Sequence, residues 1–253
     1  MTYKALVFDL DGTAIPNRPD GMPSQLVIDA VTEAKKICEV SIATGRPYSL
    51  CKNIVDALDI DDLCILNGGT HLFSRKNNDY VWKQEIDELV LQELFFKLKK
   101  FASYEVADEK RLERVPLSQY INNEPVALSC IFSTTKADSE EIISIVNSIG
   151  SITANITSSW KKGTFDVHIT HELATKKHAL QSLLSRIGVD IDQTMVVGDG
   201  GNDLPLFELA GFKVAMGNAE EVLKKQADWI APSVDEDGLA VAIKKFILKQ
   251  PAH

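Results

Sequence analysis

Cysteine, positive charge and long apolar runs are all scarce in this chain of 253 residues. Its four cysteines match neither the paired spacing of a zinc site nor the dense framework of a small secreted protein: Cys38, Cys51, Cys64 and Cys130. No apolar run is long enough to cross a bilayer, and the first residues lack the apolar stretch of a signal peptide. These absences predict a cytoplasmic, soluble protein with reduced thiols and no membrane partner.

The charge balance is acidic, with 27 Lys and Arg against 36 Asp and Glu, which gives a net charge of -9. Such a protein repels a polyphosphate backbone on average, so nucleic acid is not an expected partner. Hydrophobic residues make up 45% of the chain, enough to form a substantial core. The length corresponds to one large domain or two modest ones.

Short apolar runs separated by segments of helical periodicity predict a parallel sheet with crossover helices. The first three runs are Ala5–Phe8, Val40–Ala43 and Leu63–Leu66, and each ends at a polar turn. From about Tyr80 the order of strands and helices becomes mixed, and near Thr175 the first pattern resumes. The middle of the chain therefore reads as an insertion into the sheet domain.

We accordingly predict an α/β fold with a doubly wound, Rossmann-like parallel sheet and an inserted α+β cap. Residues 1–79 and 172–253 form the discontinuous core domain in this prediction. Residues 80–171 form the cap, which is expected to set substrate specificity.

Polar side chains follow the predicted strands at their carboxyl ends, where open parallel sheets bind ligands. Those expected to converge there are Asp9 and Asp11, Thr44, Asp199 and Asp203, and Lys176 at the start of the helix after the insertion. Like charges about 4 Å apart repel by roughly 4 kcal/mol at an effective dielectric near 20, so four carboxylates need a cation among them. Oxygen ligands favour a hard ion, and Mg²⁺, which often bridges carboxylates to a phosphate, fits best.

Such a site suits phosphoryl transfer. Mg²⁺ and Lys176 would neutralise the phosphate oxygens, while the Thr44 hydroxyl and the turn amides donate hydrogen bonds. Asp9 is then placed as the nucleophile that forms an aspartyl phosphate. Asp11 is expected to protonate the leaving oxygen and later to take a proton from water.

Four segments carry a resemblance to a known family. Asp9-Leu10-Asp11-Gly12-Thr13, Ala43-Thr44-Gly45-Arg46, Lys176 before Ala179-Leu180, and Gly198-Asp199-Gly200-Gly201-Asn202-Asp203 resemble the four motifs of the haloacid dehalogenase superfamily, in the same order. The long insertion between the second and third motifs, together with Asn67-Gly68 after the third strand, makes the chain similar to the Cof-type sugar phosphatases with a type IIB cap.

The resemblance implies a set of ligands. It implies that Mg²⁺ is bound by the carboxylates of Asp9 and Asp199 and by the backbone carbonyl of Asp11, with Asp203 as a supporting carboxylate near the metal. It also implies a phosphate site whose members are the Leu10 amide, Thr44, the Gly45 amide, Lys176 and Asn202. The implied reaction is hydrolysis of a small phosphorylated metabolite, with phosphorylated sugars as the expected class, by a monomer or weak homodimer.

Several alternatives stay open at this point. The third motif usually has Lys followed by Gly, whereas this chain has Lys176-Lys177-His178, so Lys177 competes with Lys176 for the phosphate. Arg46 has two readings, as a substrate contact or as a partner of a neighbouring carboxylate. The same core could also serve a sugar phosphomutase, or a regulatory module that binds phosphate without turning it over.

Overall fold

The computed structural model describes residues 2–18, 20–108, 113–120, 124–159 and 161–249. The chain divides into two compact units. Unit 1 consists of Met1–Trp82 with Thr175–His253, and unit 2 consists of Lys83–Ala174. Each crossing lies three residues beyond the predicted one. At the first crossing the reason is that most of the strand Asp79–Lys83, which lies in a three-stranded sheet with strands of unit 1, belongs to that unit. That each unit is a domain in its own right stays a prediction.

The strands of both units are, in chain order, β1 (Ala5–Phe8), β2 (Glu39–Ile42), β3 (Leu63–Leu66), β4 (His71–Ser74), β5 (Asp79–Lys83), β6 (Glu105–Asp108), β7 (Val115–Pro116), β8 (Ser129–Thr134), β9 (Ile152–Ser158), β10 (Phe165–His171), β11 (Thr194–Gly198), β12 (Phe212–Ala215) and β13 (Trp229–Ile230).

The helices are α1 (Gln25–Ala34), α2 (Tyr48–Ala57), α3 (Glu88–Lys97), α4 (Lys136–Asn147), α5 (Lys176–Ile187), α6 (Leu204–Phe207), α7 (Glu221–Lys224) and α8 (Gly238–Ala242). Helix α5 begins at Lys176, as predicted, because Thr175 caps it and its hydroxyl accepts a hydrogen bond from the His178 amide. Within the described ranges, no helix combines the length and the apolar character that a membrane span requires.

The main sheet of unit 1 has the strand order β13-β12-β11-β1-β2, and its strands are parallel. Its central strand β11 and the neighbouring strand β1 are buried along their whole length. Continuous apolar strands of this kind are typical of a parallel sheet that is covered on both faces. The predicted α/β class is therefore confirmed.

Strand β3 differs from the prediction of a third parallel strand in this sheet. It pairs antiparallel with β4, in a three-stranded sheet of order β3-β4-β5. A single parallel bridge, Ala43 to Ile65, and the hydrogen bond from the Ser41 hydroxyl to the Leu63 carbonyl join it to β2. The turn Asn67–Gly69 folds the chain back directly after β3, which makes a hairpin with β4.

Unit 2 contains a five-stranded sheet of order β7-β6-β8-β10-β9, whose neighbouring strands pair antiparallel. Its core joins apolar residues of α3 and α4, such as Leu94 and Ile142, to Ile131 and Val167 of the sheet. The helices α3 and α4 begin at side-chain caps, Asp87 and Thr135. This arrangement agrees with the predicted α+β composition of the insertion.

Candidate active site

The predicted site residues of unit 1 follow neighbouring strands of the main sheet. Phe8, the last residue of β1, is in register with Ile42 of β2 and Val197 of β11. The Asp9 amide donates to the Val197 carbonyl at 3.0 Å, which extends the pairing past the end of the strand. Parallel pairing therefore places the side chains after these three strands at one edge of the sheet.

A buried lysine joins two of the carboxylates. The Lys176 ammonium donates to Oδ1 of Asp9 at 2.7 Å and to Oδ1 of Asp203 at 2.6 Å. The exposed fractions of the three side chains are 1%, 6% and 0%, so these are ion pairs of the interior. Lys177 instead pairs with Glu208 near the surface. Of the two candidate lysines, the structure thus brings Lys176 to the acidic cluster.

Asp203 organises the turn after β11. Its Oδ2 accepts hydrogen bonds from the amides of Asp199 and Gly200, at 3.0 and 3.2 Å. Because Oδ1 of the same carboxylate binds Lys176, one buried side chain fixes both the turn and the lysine. This places Asp203 in a supporting position.

The first motif approaches Asp199 closely. The Thr13 hydroxyl donates to Oδ1 of Asp199 at 3.1 Å. Gly12 has a φ of 79°, and a Cβ on it would overlap the Asp199 carboxylate. Asn218 adds a further link, since its amide group donates to the Gly12 carbonyl at 2.8 Å. Two distant segments of the chain are therefore held together around the Asp199 side chain.

Burial and mutual repulsion raise the pKa values of two carboxylates, those of Asp9 and Asp199. Desolvation, together with the charges of Asp203 and Asp199, raises the pKa of Asp9 to about 7, although Lys176 acts in the opposite direction. Desolvation and the charge of Asp203 raise the pKa of Asp199 to about 6. The pKa of Lys176 is raised, because the attraction of both carboxylates outweighs its desolvation. The site favours additional positive charge.

The same acids fit a divalent ion. Asp9, Asp199 and Asp203 each offer a carboxylate oxygen, and these oxygens lie within 4.8 Å of one another. Three carboxylates against one lysine leave negative charge in a largely buried place, and an all-oxygen donor set suits a hard cation such as Mg²⁺. The carboxylate of Asp11, the fourth acid of the predicted cluster, is engaged elsewhere.

Asp11 is paired with Arg46. Nε of the guanidinium donates to Oδ2 of Asp11 at 2.8 Å, and Nη2 donates to Oδ1. This hydrogen bonding raises the pKa of Arg46. Of the two readings that the sequence left for Arg46, the structure shows the partner of a neighbouring carboxylate.

Hydrogen-bond donors without a protein acceptor lie beside these acids. Leu10 is fully buried, yet its amide makes no hydrogen bond within the described residues, and the same is true of the exposed Gly45 amide. Thr44 is fully buried and its hydroxyl accepts from the Arg46 amide, which leaves its own hydrogen free to donate. Asn202 lies exposed in the turn after β11. Buried amides are nearly always paired, so the Leu10 amide points to a ligand.

Comparison with known proteins agrees with this geometry. The model of a family described as haloacid dehalogenase-like hydrolase matches residues 6–110 and 97–243, which together span most of the chain. The chain belongs to this hydrolase family. The predicted superfamily is thereby confirmed, and so is the prediction of an enzyme, a phosphatase of the haloacid dehalogenase type.

Two relatives from Bacillus subtilis match this hydrolase over nearly their whole length. The putative phosphatase YkrA is 29% identical and the alignment covers 97% of this chain and 98% of YkrA. The 5-amino-6-(5-phospho-D-ribitylamino)uracil phosphatase YcsE is 25% identical, with 97% and 96% covered.

Solved structures show the same fold. BT1666 from Bacteroides thetaiotaomicron, a phosphatase of this superfamily, has a TM-score of 0.79 at 24% identity, with 97% of this chain and 95% of that one covered. The subclass IIB sugar phosphatase BT4131 has a TM-score of 0.73 at 24% identity, with 96% and 98% covered. The likeness extends through unit 2, so the predicted type IIB architecture is confirmed at the level of the fold.

Sequence reasoning did not identify the positioning roles of two elements of this hydrolase. Asn218 lies far from the four motifs in the chain, and only its place directly after Met216-Gly217, at the end of β12, hints at a site residue. The turn Asn67–Gly69 donates its Gly68 amide to the Thr44 carbonyl, and its Gly69 lies against the backbone of Lys176. The pair of glycines after β3 was the available signal.

Proposed function

We propose that this hydrolase removes the phosphoryl group from small phosphate monoesters in a Mg²⁺-dependent reaction that passes through an aspartyl phosphate on Asp9. The observation that carries the proposal is the buried Asp9 carboxylate, which lies 2.7 Å from the Lys176 ammonium and directly precedes the unpaired Leu10 amide. A nucleophile, a cation and a free donor then meet where a phosphate would have to react.

The phosphate would be held by donors from three strand ends. The amides of Leu10 and Gly45 and the Thr44 hydroxyl have hydrogens to offer. Lys176 adds a positive charge that is fixed before substrate arrives, because Asp203 holds it from the other side. Donors that are already oriented need not reorganise during the reaction. This preorganisation is the usual source of electrostatic catalysis. Asn202 is the remaining proposed phosphate contact.

The reaction divides between two aspartates. An Asp9 oxygen forms a bond to phosphorus while the bond from phosphorus to the leaving oxygen breaks, and the Asp11 carboxyl gives its proton to that oxygen. Asp11 then takes a proton from water as the water oxygen bonds to phosphorus and the Asp9 oxygen leaves. The products are an alcohol and inorganic phosphate, and both aspartates return to their starting states.

Asp9 and Asp199 would hold the Mg²⁺ ion through their carboxylates and Asp11 through its backbone carbonyl, with Asp203 close by. When bound, Mg²⁺ supplies positive charge that favours ionised Asp9 and offsets the charge of the phosphate oxygens. Lys176 and Asp203 need no change of partner for this, because their ion pair already lies beside the ligands.

We further propose that phosphorylated sugars are the substrate class and that unit 2 sets the selectivity. The support is the fold shared with BT4131, which is a sugar phosphatase, and YcsE, a full-length relative, also acts on a phosphorylated ribityl compound. A cytoplasmic location and the lack of nucleic-acid or membrane partners stay proposals that rest on composition and charge. A monomer or weak homodimer is a further proposal.

The test is release of inorganic phosphate from a panel of phosphorylated sugars and from an aryl phosphate. We expect turnover with Mg²⁺, none with a chelator, and none in Asp9→Asn with Mg²⁺. Asp61→Asn, which changes an exposed acid of unit 1 outside the site, should keep full activity. Phosphate release by Asp9→Asn at the normal rate would show that Asp9 is not the nucleophile, and isomerised sugar phosphate in place of phosphate would indicate a mutase.

A further inference from the structure

Arg46 and Asp11 form a partly buried ion pair with two hydrogen bonds. Two N–H groups of one guanidinium meet the two oxygens of one carboxylate, Nε to Oδ2 and Nη2 to Oδ1. The exposed fractions of the side chains are 19% for Arg46 and 29% for Asp11. Within the described part of the chain, no other cation lies within ion-pair distance of Asp11. A two-point contact of this kind fixes the plane of the carboxylate as well as its position.

Arg46 is itself anchored from several sides. Its amide donates to the Thr44 hydroxyl at 3.1 Å, and its carbonyl accepts from the Asn67 amide at 3.1 Å. The third guanidinium nitrogen, Nη1, donates to the Leu50 carbonyl in the first turn of α2 at 3.4 Å. The guanidinium therefore connects Asp11 to the rigid start of a helix.

We propose that Arg46 is a positioning residue, which aims the Asp11 carboxyl so that its proton reaches the leaving oxygen. The inference rests on the proposed function, in which Asp11 is the acid and Asp9 the nucleophile. The two hydrogen bonds from Arg46 use one lone pair on each Asp11 oxygen, so a second lone pair on each oxygen is available to face the leaving group.

The step that Arg46 would control is the protonation of the leaving group. As the Asp9 oxygen bonds to phosphorus, the bond to the leaving oxygen breaks and its electron pair takes the Asp11 proton. A leaving group that is already stable as an anion, such as an aryl oxide, does not need this proton, whereas an alkoxide does. If the Asp11 carboxyl is misplaced, formation of the aspartyl phosphate should therefore become slower with alkyl phosphates and change little with aryl phosphates.

The experiment compares kcat/KM for glycerol phosphate and para-nitrophenyl phosphate, because kcat/KM reports the steps up to formation of the aspartyl phosphate. In Arg46→Gln we expect kcat/KM for the alkyl ester to fall about 100-fold, the scale of a misplaced catalytic group, and that for the aryl ester to fall less than about 5-fold. An equal fall for both esters, or no fall, would overturn the proposal, because binding of the phosphate does not depend on the leaving group.

Three variants complete the design. Arg75→Gln removes another arginine of unit 1 that pairs with an aspartate, Asp56, and should leave both rates unchanged. Arg46→Lys keeps the charge without the two-point contact, so it should retain the defect toward the alkyl ester. If Arg46→Lys has the kcat/KM of the unaltered enzyme for the alkyl ester, the two-point contact does not position Asp11.

A double variant separates this inference from the proposed function. Asp11→Asn alone should show the same preference for the aryl ester, and Arg46→Gln should add little further loss in the Asp11→Asn background. If the two losses add independently, Arg46 does not act through Asp11. If Asp11→Asn shows no preference at all, or the unaltered enzyme turns over neither ester, the proposed function itself fails. The increase in melting temperature on addition of Mg²⁺ should persist in Arg46→Gln, which shows that the fold and the metal site survive.

Discussion

Replacement of Lys176 by methionine should destabilise this hydrolase strongly, because it removes a buried cation. The side-chain volume stays similar, so the effect reports mainly on the charge. Lys176 lies 2.7 Å from Asp9 and 2.6 Å from Asp203, and all three side chains are buried. At an effective dielectric near 20, each pair attracts by about 6 kcal/mol before desolvation is counted. Desolvation offsets much of that, and removal of one partner from a buried pair costs about 3–5 kcal/mol.

The free energy of unfolding of Lys176→Met, measured by urea titration without Mg²⁺ at pH 8, tests this value. A loss of that size lowers the melting temperature by about 6–20 °C in a protein of this length. Lys177→Met is the matched control, because its pair with Glu208 is exposed and should contribute only about 0–1 kcal/mol. Equal stability of the two variants would refute the claim that Lys176 compensates buried charge.

The deficit of Lys176→Met should also depend on pH and metal. Without the lysine, the two remaining acids can lose their repulsion only by binding protons or a cation. The deficit should therefore shrink at pH 5, where protons are available, and shrink at pH 8 when Mg²⁺ is added. A deficit that stays constant under both changes would indicate lost packing in place of uncompensated charge.

Two further predictions concern neighbouring residues. The raised pKa of Asp9, about 7 against an ordinary 3.8, means that the metal-free native state binds more protons than the unfolded state between those values, so its stability should fall as the pH rises through that window. Urea midpoints from pH 4 to 8 should show a smaller fall in Asp9→Asn, and an equal fall in both proteins would contradict the assignment. Gly69→Ala should lose more stability than Gly68→Ala, since a Cβ at Gly69 overlaps the backbone of Lys176 while one at Gly68 meets nothing within 4 Å, and both glycines have positive φ. Thermal melts of the two variants decide this, and a larger loss in Gly68→Ala would be incompatible with the close approach.

The sequence predicted the main sheet because each strand is a short run of buried apolar residues that ends at a polar turn. β1 has the predicted bounds, and β2 lies one residue before the predicted run Val40–Ala43. β3, which belongs to the three-stranded sheet, also has its predicted bounds. The partner of β3 was beyond this reasoning, because an apolar run does not reveal whether the next strand returns parallel or antiparallel. The hairpin depends on the left-handed backbone of Asn67 and Gly68, whose φ values are 51° and 68°.

For the site, residue type and strand position placed Asp9, Asp199, Asp203 and Lys176 in one region, since each follows or opens a recognisable element. The partner of Asp11 was not predictable in this way. Whether Arg46 faces a substrate or a carboxylate depends on side-chain direction at the start of α2, which sequence spacing does not fix. Asn218 was missed for a similar reason, because its contact with Gly12 joins residues 206 positions apart.

Direct detection of the covalent intermediate is the sharpest test of the proposed chemistry. The enzyme is mixed with Mg²⁺ and a phosphate monoester, quenched during turnover, reduced with borohydride and digested, and the peptide that contains residue 9 is analysed by mass spectrometry. The account predicts homoserine in place of Asp9 in the unaltered protein, formed by reduction of the acyl phosphate, and no such product without substrate. Sustained turnover with unmodified Asp9, or with the modification at another acid, would contradict it.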